Sequence, residues 1–137
     1  MSFPKYVLAY ALTAVVFFAA DMLWLGVIAK DIYRKYLGAL LTENVNWLTA
    51  IVFYLIFIAG IFVFVLQPAV EKASWVRAVT LGAFFGVVTY ATYDLTNLAT
   101  LRDWPLPIVI IDIAWGAILT GSTSLAGFII IRWIESK

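Results

Sequence analysis

The sequence predicts an all-α integral membrane bundle of four transmembrane helices, with a short interfacial amphipathic helix after the first. Three observations predict it. Hydrophobic residues make up 65% of the 137 positions and charged residues only 12%, far from the composition of a soluble domain. Four apolar stretches of about 20 residues match the roughly 30 Å hydrocarbon thickness of a bilayer at 1.5 Å per helical residue. The segments between them are too short for a soluble domain, so residues 1–137 read as a single transmembrane domain.

The first span is expected at about 6–29. Its opening, "MSFPKYVLAYALTAVVFF", has the basic start of a secretory signal in Lys5. The apolar run nevertheless continues past Asp21 with no small-x-small cleavage pattern, so it reads as a retained helix. In "DIYRKYLGALLTEN", Ile32, Tyr33, Tyr36, Leu37, Leu40 and Leu41 recur at helical spacing, while Arg34, Lys35 and Thr42 fall mostly elsewhere. That pattern predicts an interfacial helix over about 31–43, the alternative being a plain extension of the first span into water.

The second span is expected at about 47–66, ending at "LQPAVEKAS", where Pro68 and two charges intervene. The third, at about 75–99, ends at "LRDWPLP", where Pro105 and Pro107 stop one helix and start the fourth, at about 107–133. Such short turns make the second, third and fourth spans antiparallel to their chain neighbours. The amino terminus, second loop and carboxyl terminus carry Lys5, Lys72, Arg77, Arg132 and Lys137, against Lys30, Arg34, Lys35 and Arg102 on the other side. The balance of basic residues votes for both termini in the cytoplasm.

Composition removes much chemistry. The chain has no cysteine and no histidine, which excludes disulfides, thiol catalysis, imidazole metal ligation and Ser-His-Asp hydrolysis. A net charge of +1 offers no basic patch for nucleic acid. The expected partners are membrane lipids, a small-molecule ligand and a second copy of the chain. Small-residue rows at Ala78, Gly82 and Gly86, and at Ala117 with Gly121 and Ser122 with Ala126, are the expected seams of a homodimer, since such spacing lets helix backbones approach closely. The bland alternative is small residues tolerated on lipid-facing helix.

Ionisable side chains inside spans are scarce because burying a charge in hydrocarbon costs about 3 kcal/mol or more. Three occur here: Asp21, Asp94 and Asp112. Counted from the nearest helix ends, each falls roughly 10–12 Å inside the same membrane face, so the three acids are expected to converge in one layer. Tyr90, Asp94 and Asn97 share a helix face, with Tyr93 on the adjoining stripe. Trp24 lies three residues after Asp21, and Trp115 three after Asp112. Anionic groups walled by these aromatics suit an organic cation. The competing structural reading is a neutral aspartate that only joins helices, with tryptophans of the interfacial belt.

Three neighbouring carboxylates cannot all stay ionised in a low-dielectric interior without a cation, so proton exchange is expected. The acids come from separate helices with no sequence-local metal motif, so no metal site is assigned. Arg102 and Asp103 read as a solvated loop pair.

"DMLWLG", "YDLTNLATLRDWP" and "DIAWG", distributed over the spans, closely resemble the bacterial membrane family catalogued as domain of unknown function 2177. The resemblance covers nearly the whole chain and implies a prokaryotic inner membrane. It implies no reaction and no cofactor, so catalytic residues stay unassigned. In size and chemistry the chain also resembles the small multidrug-resistance transporters, although their single membrane glutamate has no counterpart here.

The first function expected is therefore binding, and transport, of a cationic or polar small molecule coupled to protons, at Asp21, Trp24, Tyr90, Tyr93, Asp94, Asn97, Asp112 and Trp115. The interfacial helix would serve as a lid. The alternatives are a membrane enzyme using aspartates as acid and base on a lipid, and an assembly subunit whose acids pair with a partner's basic residues. The lack of an activated nucleophile favours the binder over the enzyme.

Overall fold

The computed structural model describes all residues, Met1–Lys137. It contains four helices long and apolar enough to cross a membrane: a first span Phe3–Ile28, a second Trp47–Glu71, a third Trp75–Thr100 and a fourth Leu106–Glu135. A connecting helix, Lys30–Leu37, and a 3-10 turn, Gly38–Leu40, join the first span to the second. The expected architecture is present, with differences that have local causes.

The second span does not stop before Pro68. A π turn at Phe62–Leu66 lets the Gln67 N–H bond the Phe62 carbonyl, and Pro68 then occupies the opening turn of a final segment, Gln67–Glu71. The first turn of a helical segment tolerates a residue without an N–H, so the helix continues. Pro4 and Pro107 likewise occupy the first turns of the first and fourth spans. Asn46 starts the second span and Ser74 the third, each accepting a backbone N–H at 3.1 Å.

The connecting helix is shorter than the expected 31–43. It ends at Leu37, and Leu40 and Leu41 are exposed in the following turn instead of extending an apolar face. What remains does more than rest on an interface. Leu37 is buried against Trp104, Ile108 and Val109, with Ile32 and Tyr33 packed alongside. The helix therefore straps the start of the fourth span.

The fourth span is the hub, packing against the third along its length and against the first. With lipid outside, apolar burial gives little net drive to helix association, and close packing and polar contacts must do the joining. Phe17, Phe57, Ile58, Ile61, Leu66 and Leu119 form the apolar centre. The row Ala78, Gly82 and Gly86 is buried, but against the fourth span of the same chain. A Cβ at Gly82 would stand 2.5 Å from Ser124 Oγ and 2.9 Å from the Thr120 carbonyl oxygen, and one at Gly86 would collide with the Gly116 carbonyl. This row is used within one chain; of the other row, Ser122 alone stays exposed. The helical threonines at 13, 80, 89, 92, 96 and 100 donate to the carbonyl four residues back. Thr120, Thr123 and Ser124 do not.

Candidate functional site

The acid layer is built at the ends of three spans. Asp21 stands on the last α-helical turn of the first span, just before its π turn at Trp24–Ile28. Asp94 lies on the third span six residues before Thr100, and Asp112 on the fourth six after Leu106. They are 5%, 0% and 9% exposed, so none is solvated as an ordinary surface carboxylate. Asp112 is the charged neighbour of both of the others. No lysine or arginine is among the groups facing Asp21 or Asp94. Arg102 and Asp103 are exposed in the loop.

Asp21 is satisfied from two sides. The Tyr54 hydroxyl donates to Oδ2 at 2.7 Å and Trp115 Nε1 to Oδ1 at 3.1 Å. Asp112 accepts the Tyr33 hydroxyl on Oδ1 at 2.5 Å, and that hydroxyl accepts Trp24 Nε1 at 3.2 Å. Burial, followed by the bond to Asp112, raises the Tyr33 pKa far above the ordinary phenol value, so Tyr33 is a neutral donor at physiological pH. The two indoles stack at 4.5 Å with planes 9° apart. One continuous network thus runs from Tyr54 through Asp21, Trp115, Trp24 and Tyr33 to Asp112.

Asp94 is different. Both of its oxygens are buried and without a hydrogen-bond partner, and so is Trp104 Nε1 nearby. Asp103, in left-handed backbone at φ 57°, turns the loop so that Trp104 folds back under the third span; aspartate tolerates that conformation better than most residues. Trp104 then meets Tyr93 edge-on at 5.7 Å, with its indole beside the buried Asp94 carboxyl.

Beside this layer, a cleft of about 360 Å³ opens between the second and third spans, lined by Phe53, Phe57, Thr89, Tyr90, Tyr93 and Asp112. Its size lies in the range of small-molecule sites. Half-exposed Phe53 and Tyr93 stand at its rim, so the opening is lateral, toward lipid.

The sequence-derived residues fare unequally. Asp21, Asp94 and Asp112 are brought together, and Tyr90, Tyr93 and Asp112 line the cleft. Trp24 and Trp115 are not cavity walls; they stack on each other, and each indole serves a group on another segment instead of its own helix's acid. Asn97 does not pair with Asp94 and lies by the Tyr93 hydroxyl. Tyr33, read only as part of the interfacial helix, and Tyr54, Trp104, Phe53, Phe57 and Thr89 were not marked as site residues by sequence. A lone phenol within the apolar run "AIVFYLIF" was the one available signal for Tyr54.

Four apolar spans with three buried aspartates among them define a small polytopic membrane protein. Residues 6–129 match the model of a family described as "Predicted membrane protein (DUF2177)", and the chain belongs to that family. No curated protein and no solved structure matches it.

Proposed function

We propose that the protein binds a small organic cation that partitions into the membrane, and carries it across in exchange for protons. The observation that supports this reading most is the cleft itself: an aromatic, laterally open cavity with Asp112 in its lining. Aromatic faces attract a desolvated cation by about 2 kcal/mol, and Asp112 supplies the counter-charge. Asp21, held by Tyr54 and Trp115, supports the layer from behind.

Benzyltrimethylammonium is a suitable probe because its charge does not titrate. Purified protein in lipid nanodiscs is expected to bind it at least about tenfold more tightly than neopentylbenzene, its neutral isostere, a difference of about 1.4 kcal/mol. Equal binding of the two would remove the cation from the proposal.

The lateral opening also favours a second reading, in which a lipid enters and Asp94 and Asp112 act as acid and base. Lipid extracts from cells with and without the gene separate the two, because catalysis changes a lipid species.

We further propose a bacterial inner-membrane location with both termini cytoplasmic, supported by the five-to-four distribution of basic residues. The cysteine-free chain makes the check clean. A single cysteine at Ser2 should be shielded from an impermeant thiol reagent in intact cells, and one at Thr42 should be labelled; the reverse pattern inverts the topology.

A further inference from the structure

Asp94 is the one member of the acid layer whose burial is unexplained. It is 0% exposed, and neither oxygen has a donor. An ionised carboxylate in that state bears the full cost of lost solvation. Its surroundings offer no cation: the Asp112 carboxyl faces it from the fourth span and the Trp104 indole from the loop, with the N–H outside hydrogen-bond geometry, and the Tyr33 and Tyr93 phenols lie in the same surroundings. A second carboxylate cannot satisfy the first unless a proton lies between them. The Asp112 oxygen that Tyr33 leaves free is available for that role, since the Tyr33 hydroxyl bonds Oδ1.

We infer that Asp94 and Asp112 share a single exchangeable proton, and that a cation entering the cleft displaces it, so that one proton leaves for each organic cation bound. This rests on the cleft reading above and adds the residue that carries the proton. The charges balance. The protonated pair has a net charge of minus one; the deprotonated pair, minus two, with one monovalent cation beside Asp112, has the same net charge. The proton goes to water, and no bond of the ligand is made or broken. Because binding releases a proton, affinity rises with pH until the empty pair is itself deprotonated.

Titration calorimetry of benzyltrimethylammonium in buffers of different ionisation enthalpy counts the protons. The parent protein is expected to release one per ligand and to bind about tenfold more tightly per pH unit across the exchange range. Asp94→Asn keeps the shape and leaves Asp112 ionised; it should release none, show an affinity flat against pH, and bind more tightly than the parent at acidic pH. Equal proton release by parent and variant, or release by neither, overturns the inference. Infrared spectra with isotope-labelled aspartate provide a ligand-free check. A protonated carboxyl stretch at neutral pH should lose intensity in Asp94→Asn, and an unchanged band also overturns it. Absence of any ligand binding would instead refute the cleft reading and the exchange with it, leaving the infrared band to judge the shared proton alone.

Discussion

Asp112→Asn is expected to weaken benzyltrimethylammonium binding by about 30-fold or more, because removing one partner of a desolvated charge pair costs at least about 2 kcal/mol. The variant preserves the shape of the side chain and can still accept the Tyr33 hydroxyl, so the strap should stay in place. The neutral isostere should bind the variant and the parent alike. Equilibrium binding in nanodiscs, with both ligands measured on both proteins, checks this. A parallel loss for the two ligands would mean that the substitution had disturbed the cleft walls, and no loss for either would take Asp112 out of the site.

The largest expected effect on stability lies elsewhere, where the third and fourth spans touch backbone to backbone. Gly86→Ala puts a methyl group into the Gly116 carbonyl, and a backbone atom cannot swing aside as a side chain can. Overpacking of this kind costs about 3 kcal/mol, and the acid layer would be lost with it, since Asp94 and Asp112 ride on these two helices. Heating the purified protein and measuring the fraction that stays monodisperse should show Gly86→Ala failing well below the parent. Gly38→Ala, where an added Cβ meets nothing within 4 Å, serves as the control. Equal survival of both variants would contradict the close approach of the two spans.

The features legible in the sequence are those for which the bilayer acts as a ruler. Apolar run length located the spans, and counting residues from the helix ends placed Asp21, Asp94 and Asp112 at one depth on three helices. What stayed hidden is rotation. In water, a helix declares its inner face by its apolar stripe. In lipid both faces are apolar, so nothing in the sequence marked Phe53 and Phe57 as cleft walls, and a lone phenol in an apolar run was the sole signal for Tyr54. The small-residue row at Ala78, Gly82 and Gly86 was visible, yet spacing cannot tell a partner in the same chain from one in a second copy.

The tryptophans show a related limit. Asp21 with Trp24 and Asp112 with Trp115 look like two local pairs. The stacking of the indoles in space exchanges their hydrogen bonds between segments, so Trp115 serves Asp21 and Trp24 serves Tyr33. The π turn that begins at Trp24 widens the helix directly after Asp21, and no sequence rule for an ideal helix anticipates it. Trp104 was read as part of a loop punctuated by prolines. The left-handed backbone at Asp103 turns this loop, and Trp104 comes to lie beside Asp94.

The most direct measurement is a structure of the protein in lipid, solved with benzyltrimethylammonium. Ligand density between Phe57, Tyr90 and Asp112, with Asp94 and Asp21 in the adjoining layer, is the expected result. Density at an unrelated site, or the three carboxyl groups in separate surroundings, would contradict it.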